Sequence, residues 1–262
     1  MKKVVLTGGI TDIHVPNDMA MTVVFSLENS RAHENTIHIE VSKNASLQCY
    51  FLQNSANTER SDNHFLITQW AASRCVFHDY QLGLSEIRNQ FDVALNGVDA
   101  KCDILGVVVA SESQRCQTQT TMLHNAPRTR STQNYRGIAQ DKANAQFISR
   151  VIVQKDAQHI LSEQQNKNLL LSDQAKITTR PELEIYADDV KCAHGATVGQ
   201  LDEDALFYLQ SRGIAAKEAR SLLTYAFVAN MVDTIENADF RSRVIAAMQQ
   251  AIPNANAMEL PL

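Results

Sequence analysis

Little proline and little glycine punctuate this chain: 5 prolines and 9 glycines among 262 residues. Between Met21 and Val198 only Pro127 and Pro181 interrupt the backbone, and Asn96-Gly97 is the one Asn-Gly or Asp-Gly dipeptide. The tight two-residue hairpins that an antiparallel sandwich favours are therefore scarce. No apolar run approaches the length needed to cross a bilayer. The opening MKKVVLTGGITDI carries two lysines but lacks the sustained apolar core of a signal peptide. Cysteine is sparse and odd in number: Cys49, Cys75, Cys102, Cys116 and Cys192 are scattered, which suits a reducing cytoplasm and not a disulfide framework. Charged residues make up 20% and the formal net charge is -5, so there is no basic footprint for nucleic acid. Arg128 and Arg130 are a local exception, read as a solvated turn. Thr7-Gly8-Gly9 is not followed by the glycine spacing of a nucleotide loop, and no Walker pattern occurs, so no nucleotide is assigned to this chain.

What is present is short alternation. From Met21 to Val198 the segments are brief and rich in β-branched residues, as in Thr36 to Val41, Phe147 to Val153 and Leu183 to Tyr186. A small residue followed by polar–apolar alternation recurs at Ala45, Ala72, Ala100, Ala143, Ala157, Ala175 and Val190. The steps lie near multiples of about fourteen to fifteen residues, the mark of a unit that buries its apolar face only against its neighbours. A β-solenoid and a sandwich of evenly spaced hairpins both remain open on this pattern alone.

After Gly199 the period becomes helical. Asp202, Glu203 and Asp204 suit a helix start and Gly213 its stop. A second helix is expected from about Ala215 to Ile235, with Val228, Met231, Val232 and Ile235 on one face. A third follows Asn237, with Phe240, Val244, Ile245, Met248 and Ile252 aligned before Pro253. Such stripes are packing faces, expected here to cap the end of the β region. The expected divisions are 1–199, 200–253 and a loose tail, 254–262.

Chemistry concentrates at Cys192 and His194. Two residues apart on an extended segment, a thiol and an imidazole point to the same side, beside Gly195 and Gly199. Both groups bind iron or zinc, yet two ligands are too few for a closed site, so others must come from elsewhere. The plainer reading is a small packed thiol beside a hydrogen-bonded imidazole. Asp188 and Asp189, being neighbours on an extended chain, face opposite sides and mark a turn. His14, His33, His38, His64, His78, His124 and His159 show no ligand spacing.

The run LLLSDQAKITTRPELEIYADDVKCAHGATVGQLDEDALFYLQSRGI, Leu169 to Ile214, resembles the C-terminal core of the SufB/SufD family, the scaffold components of the SUF iron–sulfur cluster assembly machinery. The preceding NYRGIAQDKANAQFISRVIVQKDAQHILSEQQNKNLLLSD is similar to earlier turns of the same domain, and residues before about Thr118 fit more loosely. His194-Gly195-Ala196-Thr197 stands where SufB-type members read HEAT, and Asn166-Lys167-Asn168 where they carry a cysteine. The resemblance is thus to the SufD side, with a SufB-type scaffold as the alternative. It implies a right-handed parallel β-helix with a C-terminal helical subdomain, and a non-catalytic role in the cytoplasm. It implies that His194 and Cys192 lend ligands to iron or a nascent iron–sulfur cluster shared with a SufB-like partner bound through the β-helix. A SufC-like ATPase docked on the C-terminal helices, a flavin in the assembled complex, and a homodimer when SufB is absent are further expectations from the same resemblance. Family members carry an N-terminal helical region for which this sequence shows no counterpart. A carbohydrate-active β-helix enzyme is the rival from another class; aromatic residues at 6% and the lack of a carboxylate cluster speak against it.

Overall fold

The computed structural model describes residues 1–27, 32–54, 59–83 and 85–252. Fifteen strands coil into two parallel sheets. The odd strands form an eight-stranded sheet: β1 (Lys2–Leu6), β3 (Ala20–Leu27), β5 (Ser46–Gln53), β7 (Arg74–Leu82), β9 (Lys101–Ala110), β11 (Arg130–Ala139), β13 (Ile160–Leu170) and β15 (Val190–Gly199). The even strands form a seven-stranded one: β2 (Gly9–Val15), β4 (Ala32–Val41), β6 (Arg60–Gln69), β8 (Glu86–Leu95), β10 (Arg115–His124), β12 (Asn144–Val153) and β14 (Lys176–Ile185). Each strand pairs with the strand two before it, so the chain is a β-solenoid with two strands per coil. Paired residues are 26 to 32 apart in every pairing after the first, where they are 21 apart. The recurrence in the sequence is therefore half a coil.

Strict alternation builds the interior. Along β10 every second side chain, from Cys116 to His124, is buried between the sheets. In the early coils the lumen is filled by Phe25, Phe51, Phe65, Phe77 and Phe91, with neighbouring ring centroids 4.8–6.0 Å apart. Each buried ring contributes about 2–3 kcal/mol of apolar burial, the main driving force in these coils. Beside the rings runs a polar ladder. Asn35 donates to Asn63, Asn63 to Asn89, and Asn89 to the fully buried Asp79 carboxylate, each over 2.8 Å. Tyr135 reaches Asp79 at 3.1 Å from two coils away. It does so across Gly106, where a Cβ would occupy the space of the Tyr135 ring.

The corners account for the alanines. Ala45, Ala100, Ala143, Ala157 and Ala175 are buried where the chain bends into the next strand. Ala72 departs from this expectation: it is exposed with φ 55°, and Ser73 takes the buried place. Seven further corners among the described residues, at Asp18, Asn44, Asp99, Glu112, Arg128, Asp141 and His159, likewise carry a non-glycine residue at positive φ, four of them the Asp and Asn that tolerate it best.

Three helices follow: α1 (Glu203–Ser211), α2 (Ala216–Asp233) and α3 (Ala238–Ala251). Asp202 accepts from the Asp204 and Ala205 N–H groups as N-cap, and Asn237 caps α3 through Phe240 N–H. The second helix is slightly shorter than the sequence suggests. Its stripe and that of α3 are buried as expected, but not over the end of the solenoid. They pack on the flank, where Phe240, Met231 and Val228 meet Tyr50, Tyr80, Val107 and Ile138 on the outer face of the eight-stranded sheet. The Tyr80 hydroxyl donates to Met231 O at 2.8 Å, fixing α2 to that flank. The helices leave β14 and β15 uncovered because the broad apolar strip they need lies on β5, β7, β9 and β11. Residues 254–262 fall outside those described.

Candidate functional site

β15 is the last strand of its sheet, and this explains its chemistry. Its register places Cys192 over Ser162, His194 over Gln164 and Val198 over Asn168. Ser162, Gln164 and Asn168 are buried lumen residues, so Cys192, His194 and Val198 occupy lumen positions too. No further coil covers them. An imidazole that any interior coil would enclose is instead exposed at the open end, while Cys192, deeper in, is half-buried against the core. Burial pushes the Cys192 thiol above its usual range, opposed by the Ser162 backbone N–H.

The structure thus brings Cys192 and His194 to one side of one strand, with α-carbons roughly 7 Å apart as strand geometry requires. Among the described residues no group of three or more His, Cys, Asp and Glu side chains is arranged to hold a metal ion. The pair alone is an incomplete ligand set of soft and borderline donors. The other cysteines are packing groups: Cys49, Cys75, Cys102 and Cys116 are buried and free. Burial raises the Cys49 thiol well above its usual range, and pushes Cys116 up to about 12. Such thiols are poor nucleophiles and ligands.

The remaining sequence candidates separate cleanly. Asp188 and Asp189 lie in the turn between β14 and β15, and Asp189 pairs with His159 at 2.7 Å. His159 itself sits at a corner with φ 60°. Arg128 is at a corner too, held by Asp99 through two 2.9 Å hydrogen bonds. Sequence reasoning overlooked the apolar rim of the open end: Val198 is 44%, Ile185 39% and Tyr186 61% exposed. The signal was available in the alternation, since the parity of Cys192 and His194 continues to Val198. On α1, Phe207 and Tyr208 are also exposed, at 74% and 57%.

The sequence that builds this solenoid and its flanking helices matches a known family. The description "SUF system FeS cluster assembly, SufBD core domain" fits residues 8–227, and the chain belongs to that SufBD core family. Among its relatives, "Iron-sulfur cluster assembly protein SufD" of Escherichia coli is 34% identical over 82% of this chain and 51% of its own length. An iron-sulfur cluster assembly SufBD family protein of Synechocystis is 36% identical over 68% of this chain and 39% of its own. "Protein ABCI7, chloroplastic" of Arabidopsis thaliana is 29% identical over 79% and 44%. The chain spans about half the length of the curated relatives it matches.

Proposed function

We propose that this chain is a non-catalytic, SufD-like scaffold subunit that lends residues to a nascent iron–sulfur cluster at an interface with a SufB-like partner. The observation that supports it best is the uncovered last coil. An edge strand offers unpaired N–H and C=O groups to another strand, and here that edge is joined to exposed lumen side chains and an apolar rim. A second solenoid set against it would continue the sheets, bury Val198, Ile185 and Tyr186, and supply the ligands that Cys192 and His194 lack. The cluster is cargo in this reading: His194 would offer an imidazole nitrogen and Cys192 a thiolate, formed as its proton leaves to a base or to solvent.

The helical region is the proposed seat of a SufC-like ATPase. Phe207 and Tyr208 on α1 support this, since they face solvent while Leu206 anchors the same helix. No nucleotide-binding pattern is found in the chain, so ATP hydrolysis is assigned to that partner.

The test is co-purification with the SufB-like and SufC-like proteins of the same organism, with the mass read by light scattering. A stable three-component complex is expected; failure of a soluble, folded chain to bind either partner would overturn the scaffold reading. Within that complex, His194→Ala should reduce the cluster yield to near background. Because His194 is exposed, the variant's stability should change by less than about 0.5 kcal/mol. A normal yield would remove His194 from the site.

A further inference from the structure

Arg136 is out of place for an unpaired cation. It lies on the outer face of β11 beside α2, with only 7% of its surface exposed. Its guanidinium carbon stands 5.8 Å from the centre of the Phe227 ring, a contact that satisfies one face of the group but none of its in-plane N–H donors. Among the described residues it has neither a carboxylate partner nor a hydrogen-bond acceptor, and Nη1 is fully enclosed. A buried charge left so is costly unless something neutralises it.

The neighbouring coil adds to the demand. Lys167 pairs in register with Arg136, one strand spacing of roughly 4.8 Å away. It is exposed and also has no ion-pair partner among the described residues. Like charges directly opposite in a sheet repel. Asn134, two residues before Arg136 on the same face, has an enclosed side-chain oxygen without a partner, and its amide can be turned to present N–H groups instead. The acidic side chain on this face of β13, Glu163, already accepts from Gln165 at 2.6 Å. Burial also holds Arg136 below the usual arginine range, as expected for a cation short of a counter-charge.

We propose that Arg136 and Lys167 form a seat for a phosphate-type oxyanion, either free or carried as the phosphate group of a small molecule. Two adjacent cations match a dianion better than a single carboxylate. With Nη1 enclosed, the remaining edge of the guanidinium, Nε and Nη2, has two parallel N–H donors suited to two oxygens of one phosphate, and the Lys167 ammonium suits a third. The seat is on the outside of the eight-stranded sheet, whereas Cys192 and His194 face the lumen. Its occupancy is therefore separate from the cluster site and requires no partner protein.

The experiment is titration of the full chain with inorganic phosphate and, in a second arm, with glycerol phosphate, against chloride at matched ionic strength. Binding is followed by calorimetry and melting temperature. Saturable binding of phosphate with a rise in melting temperature is expected for the wild type. Preference for the ester would mark the carried form. Arg136→Met should weaken binding by at least about tenfold. Without phosphate it should melt at or above the wild type, because an enclosed, unpaired charge has been replaced by an apolar chain of similar length. Lys167→Met, at an exposed position, should fold normally and lose several-fold in affinity. No phosphate binding beyond the chloride control, or equal binding by wild type and both variants, would overturn the proposal.

Discussion

His78 lies flat against Tyr50, ring centroids 5.0 Å apart, beneath the helices, and His124 lies in the lumen with its ring nitrogens on Thr129 and Ser131. Burial lowers both imidazoles to about 4. Between about pH 4 and the ordinary value near 6.5 the unfolded chain therefore binds more protons than the folded one. Their contribution is present above the unfolded value and is lost as pH falls through that window, roughly 3 kcal/mol for each histidine. Asp79 opposes them. Burial raises its carboxyl to about 6, against donors from Gln81, Asn89, Tyr135 and Gln53. Between about pH 4 and 6 the folded chain then holds the extra proton, and Asp79 costs stability as pH rises, by roughly 3 kcal/mol. Two histidines outweigh one aspartate, so urea unfolding should show a more stable protein at pH 7 than at pH 4.5. Asp79→Asn should steepen this dependence, while Gln at His78 should flatten it; an unchanged slope in both variants would exclude these groups as its source. None of this was legible in the sequence. His78, His124 and Asp79 have no informative neighbours along the chain, because those that bury them are chiefly residues of other strands and helices. The Cys192–His194 pair was legible, since both members belong to one strand and alternation alone puts them on one side.

The corners show where a local sequence signal changes meaning. Asn96-Gly97 has the composition of a hairpin turn, yet it lies at a corner between parallel coils, with Gly97 N–H donating to Gln69 O at 3.1 Å. The glycine is needed for close approach: a Cβ there would run into the Ala71 backbone nitrogen and the Trp70 carbonyl carbon. Gly97→Ala should therefore destabilise the fold by about 1–3 kcal/mol, seen as a melting temperature several degrees lower; a wild-type melt would mean that the corner yields without cost. The half-coil recurrence was readable because buried alanines mark many of the bends, and it slipped at Ala72 because Ser73 fills that corner. Helix existence and facing were readable from the stripes of α2 and α3. Where those stripes dock was not, because it depends on Tyr50, Tyr80, Val107 and Ile138, a strip assembled from four strands.

In a solenoid each coil buries its face only on its neighbours, so an end coil differs from an interior one in what covers it and not in how it is built. β15 keeps the alternation of β13, and its lumen-facing side chains are as ready for burial as Ser162 and Gln164 beneath them. On the proposed reading, the free energy left unclaimed at this end is what a partner would draw on: the unpaired edge of β15 and the apolar area of Val198, Ile185 and Tyr186. Val198→Asp tests this at the scale of the molecule. Val198 is 44% exposed in the isolated chain, so a carboxylate there remains solvated and the monomer should melt like the wild type. In a continued solenoid the same carboxylate would be enclosed without a counter-charge, a penalty of at least about 1.4 kcal/mol, which is tenfold in affinity. Association with the SufB-like scaffold should weaken by that factor or more, whereas capture of the SufC-like ATPase on the flanking helices should be unchanged. Undiminished scaffold binding by this variant would place the partner elsewhere than on the open coil, and the cluster would then have to be completed without ligands set against His194.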